Sequence, residues 1–167
     1  TKTRKMNTSQ TAIDAPTVAI ETHGCKLNQA DSSVLAGDFV RAGFRVVAKA
    51  EAADVYLVNS CTVTHVADRK ARQALRSARR RNPEATIVAT GCYAQRSPGE
   101  LEGLEGVDIV AGNTGKANLV QTIVAWKGEP LVPCAVGDDG QAVSPATLRT
   151  RAMVKIQEGC DQVCAYC

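Results

Sequence analysis

Apolar residues along the chain fall into two alternating rhythms, and that alternation lays out a fold. Short β-branched or continuous apolar runs stand at residues 16–22 (PTVAIET), 44–47, 54–59 (DVYLVN), 85–90 (ATIVAT) and 107–110. The central runs lack polar alternation and read as strands buried on both faces. Between them lie stretches of helical period. Residues 28–42 carry apolar side chains at Val34, Leu35, Phe39 and Ala42, with Asn28 or Asp31 placed to cap the helix and Gly43 to stop it. Residues 63–81 predict a long helix, apolar along Ala67, Ala71, Ala74, Leu75 and Ala78 and ended by Asn82-Pro83. A closing helix is expected over residues 118–126. This β-α-β-α order predicts an α/β domain, with a parallel, Rossmann-like sheet and helices on both faces.

The pattern is uneven along the chain. Residues 1–15 are polar and patternless and read as a disordered tail. The α/β pattern occupies residues 16–127. Residues 128–150 hold three of the six prolines and a Gly-Asp-Asp-Gly run, which reads as a linker. Residues 151–157 (RAMVKIQ) then read as the first strand of a second domain, leading into a cysteine loop that ends at Cys167. The 167 residues suffice for one domain and a piece of another, and a chain that starts at Thr1 and stops on a cysteine motif expected to open a domain reads as part of a longer protein.

The seven cysteines change the picture most. Cys160, Cys164 and Cys167 are spaced C-x3-C-x2-C on one loop. Three thiolates can hold three irons of a cubane cluster and leave the fourth iron open, whereas ordinary electron-transfer clusters use four cysteines. Zinc is the alternative, although its sites favour paired C-x2-C units or Cys/His mixtures. A second set is scattered in sequence. Three strands end in a small residue followed by cysteine, at Gly24-Cys25, Ser60-Cys61 and Gly91-Cys92. Ligands of open parallel sheets bind beyond the carboxyl ends of the strands, so these thiols are expected to meet at one sheet edge as a second three-thiolate site for iron–sulfur or zinc. The competing reading is three ordinary buried cysteines. Cys134, in the linker, reads as a free thiol.

Charge adds one candidate surface. The net charge of +3 is small, so any nucleic-acid site must be local. Arg69, Arg72, Arg76 and Arg79 or Arg80 recur at three- and four-residue steps on the 63–81 helix, either as a contact to phosphates or as a solvated face favoured by the helix dipole. Aromatic residues are too scarce, at 4%, to support stacking on single-stranded bases. His23 and His65 read as plain surface or core residues, and Asn28, Asp31 and Asn59 as caps and turn residues. No apolar run reaches the length of a membrane span.

The segments ETHGCKLNQADS, VNSCTVTHVADRKARQALR, TGCYAQ and EGCDQVCAYC, in this order, resemble the methylthiotransferase family of radical S-adenosylmethionine (SAM) enzymes over residues 17–167. Within it, GCKLNQADS and CTVTHVADRKARQ look most like the branch that acts on threonylcarbamoyladenosine beside the anticodon of tRNA. The resemblance implies two [4Fe–4S] clusters and SAM as cofactors. It places the auxiliary cluster on Cys25, Cys61 and Cys92, and the SAM-binding cluster on Cys160, Cys164 and Cys167 at the start of a truncated radical SAM barrel. It further implies a cytoplasmic enzyme, a tRNA substrate, no membrane partner, an electron donor of flavodoxin or ferredoxin type whose identity the sequence leaves open, and no activity for these residues alone. Sister branches act on isopentenyladenosine in tRNA or on an aspartate of a ribosomal protein. A vitamin B12-dependent radical SAM enzyme and a non-enzymatic iron–sulfur or zinc module are the readings from other classes.

Overall fold

The computed structural model describes residues 15–61 and 65–127. In chain order these form β1 (Thr17–His23), α1 (Lys26–Arg41), β2 (Arg45–Val47), β3 (Val55–Ser60), α2 (His65–Arg81), β4 (Thr86–Gly91), α3 (Cys92–Arg96), α4 (Pro98–Glu102), β5 (Ile109–Ala111), a 3-10 helix (Asn113–Asn118) and α5 (Leu119–Lys127). The five strands make one parallel sheet in the order β2-β1-β3-β4-β5. The chain therefore runs outward from β1 to β2 and then crosses back to build β3, β4 and β5 on the other side. The reversal lies between β1 and β3, and the crevice beyond the carboxyl ends of strands at such a point is where doubly wound sheets take their ligands.

The continuous apolar runs are buried on both faces, as their composition requires. All six residues of β3 and all six of β4 are buried. Side chains alternate across the sheet. Tyr56, Val58, Ile87 and Ala89 pack with Ala71, Ala74, Leu75 and Ala78 of α2 and with Tyr93, Ala94 and Leu101 of α3 and α4. Val55, Leu57 and Val88 pack on the other face with Leu35 and Phe39 of α1 and with Leu119, Val120 and Ile123 of α5. Phe39 meets Phe44 edge to face, with ring centroids 5.2 Å apart. The sheet is thus covered by helices on both sides.

Several boundaries differ from those the pattern suggests. Helix α1 starts at Lys26, so Asn28 and Asp31 lie inside it, buried, and neither caps it. Cys25 occupies the N-cap position and makes no side-chain cap bond. The early start follows from Gly24, whose φ of 142° turns the chain directly out of β1. The stop at Gly43 holds, with φ at 87°. Strands β3 and β4 run one residue further than their apolar runs, because the buried polar pairs Asn59↔Thr90 and Ser60↔Gly91 remain in the ladder. Helices α3 and α4 carry no periodic signal. They are five residues each, separated at Ser97-Pro98, and they form because Tyr93 and Leu101 are buried against the sheet. The closing helix is preceded by a 3-10 turn that begins at Asn113. The tail over residues 1–14, the linker and the segment 151–167, with Cys134, Cys160, Cys164 and Cys167, lie outside the described residues. Among the described residues no helix is long and apolar enough to cross a membrane.

Candidate functional site at the carboxyl edge of the sheet

The register decides how the scattered cysteines relate. His23 at the end of β1 pairs with Ser60, and Ser60 pairs with Gly91. Cys25, Cys61 and Cys92 follow these residues by two, one and one positions, so they sit at the carboxyl ends of three neighbouring strands, β1, β3 and β4. All three are free thiols. Cys25 is exposed, Cys92 half-buried and Cys61 buried, which grades the edge from solvent toward the interior.

The turns that carry them are closely packed. Cys61 donates its backbone N–H to the His23 carbonyl at 2.7 Å, extending the β1–β3 pairing by one bond. A Cβ on Gly24 would stand 2.4 Å from Cys61 Cβ, so only glycine lets the first turn approach the second. Gly91, with φ at 99°, is similarly constrained: a Cβ there would fall 2.3 Å from the Ser60 carbonyl oxygen and 2.5 Å from Asn59 Oδ1.

Beneath the turns lies a polar network that the sequence pattern does not reveal. Asn28 and Asn59 are 2% and 0% exposed. Asn28 Nδ2 donates to Asn59 Oδ1 at 3.2 Å, and Asn59 Nδ2 donates to the Asn28 carbonyl at 2.9 Å and to Ser32 Oγ at 3.0 Å. Thr22 Oγ1 donates to Ser32 Oγ at 2.7 Å. Cys25 Sγ donates to Asn28 Oδ1 at 3.1 Å. Reading Asn28, Asp31 and Asn59 as caps and turn residues is therefore corrected: Asn28 and Asn59 bridge α1 to β3 as side chains, and Asp31 Oδ2 pairs with Lys116 Nζ at 2.6 Å, tying α1 to the 3-10 helix. The only advance sign of the network was polar residues in places where an amphipathic helix or a buried strand should be apolar.

The donor set suits a soft, polynuclear group. Three thiols and no hard oxygen ligand favour iron–sulfur or zinc over magnesium or calcium. Among the described residues no three His, Cys, Asp or Glu side chains converge as ligands of a single ion would. A cubane binds its thiolates through three separate irons, so they stand farther apart than the ligands of one ion. Three thiols on adjacent strand ends, backed by glycine turns, are compatible with that arrangement.

The two histidines sit at the margin. His23 Nε2 lies 3.1 Å from Glu21 Oε1, which also faces Lys49 Nζ at 3.5 Å. His65 is exposed at the first residue of α2. The basic stripe of α2 divides into two groups. Arg72 donates to Tyr93 Oη at 2.5 Å, faces Glu100 at 3.8 Å and lies over the Tyr93 ring. Arg79 pairs with Asp108 at 2.5 Å and donates to the carbonyls of Pro83, Ala85 and Gly106. These two arginines are half-buried and engaged by neighbouring groups of the fold. Arg69, Arg76 and Arg80 are exposed and, at seven- and four-residue steps, share one face of the helix. Tyr93 Oη in turn donates to Glu100 Oε2 at 2.8 Å. Burial and the Glu100 contact raise the Tyr93 pKa above 10.0, outweighing the opposing pull of Arg72.

Over 157 residues the chain is 41% identical to the threonylcarbamoyladenosine tRNA methylthiotransferase MtaB of Aquifex aeolicus, an alignment covering 90% of this chain and 38% of that protein. It is 32% identical to the ribosomal protein uS12 methylthiotransferase RimO of Chloroflexus aurantiacus, covering 89% and 37%. It is 30% identical to the tRNA-2-methylthio-N(6)-dimethylallyladenosine synthase of Chlorobium phaeovibrioides, covering 89% and 35%. The chain thus spans little more than a third of the length of these relatives. Residues 17–112, which include all three strand-end cysteines, match the model of Uncharacterized protein family UPF0004. The chain therefore belongs to this family, the N-terminal domain of the methylthiotransferases.

Proposed function

We propose that the chain is the N-terminal part of a methylthiotransferase that modifies threonylcarbamoyladenosine in tRNA at C2. In this reading Cys25, Cys61 and Cys92 hold an auxiliary [4Fe–4S] cluster, and Cys160, Cys164 and Cys167 hold the cluster that binds SAM. The single observation that carries the first assignment is the register, which sets the three cysteines on adjacent strand ends at the reversal point of the sheet. The C-x3-C-x2-C spacing carries the second.

Bound clusters and SAM supply the radical and sulfur chemistry that no side-chain acid or base performs on an unactivated ring carbon. The chain's own residues hold and position. Each set offers three thiolates, which occupy three irons and leave one iron for an exogenous ligand. Cys61 anchors from the buried side, while Cys25 stands at the solvent side of the edge. The glycines at 24 and 91 remove the side chains that would otherwise keep the cysteine turns apart.

Substrate choice is supported by the GCKLNQADS and CTVTHVADRKARQ segments and by 41% identity to a relative named for threonylcarbamoyladenosine, against 32% and 30% for relatives named for the other two substrates. The tRNA contact on this domain falls to Arg69, Arg76 and Arg80, the arginines of α2 that remain available after Arg72 and Arg79 are engaged. The reading further takes the protein as cytoplasmic and reduced by a flavodoxin- or ferredoxin-type donor. Nucleoside mass spectrometry of bulk tRNA from a strain lacking the parent gene tests the substrate. Loss of 2-methylthio-threonylcarbamoyladenosine with accumulation of its unthiolated precursor is the expected result. An unchanged level of that nucleoside moves the substrate to isopentenyladenosine or the ribosomal protein.

A further inference from the structure

We propose that Asn59 is a positioning residue for all three cysteine turns of the auxiliary site, with Asn28 linking it to the helix turn that follows Cys25. This inference rests on the assignment of Cys25, Cys61 and Cys92 as cluster ligands.

Asn59 is fully buried near the end of β3, where the other side chains of the run are apolar or small. Burying a carboxamide costs free energy unless its donors and acceptor are satisfied, and here each group that satisfies it belongs to a cysteine-bearing turn or its support. Its Nδ2 reaches the Asn28 carbonyl and Ser32 Oγ in the first turns of α1, immediately after Cys25. Its Oδ1 accepts from Asn28 Nδ2, and in the metal-free chain Asn28 Oδ1 accepts from Cys25 Sγ, a bond that a cluster-bound thiolate, having no proton, gives up. Its backbone lies two residues before Cys61. The same Oδ1 stands 2.5 Å from where a Cβ of Gly91 would be, one residue before Cys92. One side chain therefore touches the turn of Cys25, belongs to the strand of Cys61 and abuts the turn of Cys92.

The geometry also gives Asn59 a fixed orientation. Two acceptors hold Nδ2, so Oδ1 is presented to Asn28 Nδ2, and the Asn28 carboxamide is oriented in turn. An Asp at 59 would set a carboxylate oxygen against the Asn28 carbonyl, while an Ala would free all three turns. Outer groups that orient ligands in this way typically change metal affinity by about 10- to 100-fold when removed.

The test uses the full chain with Cys160, Cys164 and Cys167 changed to Ala, reconstituted anaerobically with iron and sulfide. The parent, Asn59→Ala, Asn59→Asp and Asn28→Ala are compared. Three quantities are read: iron retained against a chelator, the electron paramagnetic resonance spectrum and midpoint potential of the reduced cluster, and thermal unfolding of the metal-free chain. The expected result is iron loss faster by about 10- to 100-fold in the Asn59 variants, with an altered spectrum and potential. Asn28→Ala leaves Asn59 Oδ1 without its donor and should lower the melting temperature of the metal-free chain, but at temperatures where it is folded it should still shift the spectrum and potential. Parent-like iron retention, spectrum and potential in Asn28→Ala and in whichever Asn59 variant folds would overturn the proposal. A parent that takes up no cluster would overturn the ligand assignment itself, a separate result visible before any Asn variant is made.

Discussion

At the scale of single residues, the site depends on positions where one atom more or less decides the packing. Gly24 and Gly91 both have positive φ, and at each a methyl group would stand within 2.4 Å of backbone or of a neighbouring Cβ. Neither neighbour is a flexible side-chain end that could move aside. Glycine before cysteine was visible in the sequence, but only the fold shows that what it accommodates is the next cysteine turn. Tyr93 gives a second residue-scale consequence. Its hydroxyl is buried between Arg72 and Glu100, and its pKa in the folded state lies above 10.0 because of burial first and the Glu100 contact second. The folded state thus holds the phenol proton more tightly than the unfolded state. The resulting stability is fully present below the unfolded value and is lost as pH rises above about 10 through the folded value. Tyr93→Phe should flatten this alkaline limb, measured by urea unfolding at pH 8 to about 11, and an unchanged limb would assign it to other groups.

At the scale of the element, α2 separates two kinds of arginine that look alike in sequence. Arg79 is bound by one carboxylate and three carbonyls that belong to the β4 and β5 approaches, so it pins the helix end to the sheet. Arg79→Ala should destabilise the chain by about 2 kcal/mol, since hydrogen bonds to charged groups are worth about 1.5–3 kcal/mol. Changing Arg69, Arg76 and Arg80 together to Ser should leave the melting temperature nearly unchanged. It should instead weaken tRNA binding and reduce the salt dependence of affinity, by about 0.7–0.9 in log–log slope for each phosphate the protein no longer neutralises. A parent-like salt slope would mean the stripe is a solvated face. The three- and four-residue spacing was legible in the sequence. Which arginines remain available was not, because Glu100, Asp108 and the carbonyls that capture Arg72 and Arg79 come from elements up to 29 positions away.

At the scale of the whole molecule, two separate three-cysteine sets predict separable metal loading. The reconstituted chain should carry about eight irons, and Cys25, Cys61 and Cys92 changed together to Ala should leave about four. Iron and sulfide analysis measures this directly; stoichiometric zinc in place of iron would favour a zinc module. Helices pack on both faces of the sheet and fix the strands that end in Cys25, Cys61 and Cys92. The core spans both faces through β3 and β4, so the strand ends that carry Cys61 and Cys92 belong to the most deeply buried part of the fold.

Much of this architecture was determined by the sequence alone. Short continuous apolar runs and period-3.6 apolar patterns are local, so they specify the five strands, the long helices and the parallel α/β class without reference to neighbours. The strand-end placement of Cys25, Cys61 and Cys92 is local as well. What only the tertiary structure decided is pairwise and long-range. The order β2-β1-β3-β4-β5 makes β1, β3 and β4 adjacent, although the three cysteines are separated by 36 and 31 positions in the chain. Helices α3 and α4 exist through packing rather than propensity. Asn28 and Asn59, ordinary as letters, became a buried bridge because burial leaves a carboxamide no water to bond, so its partners must be found across the fold.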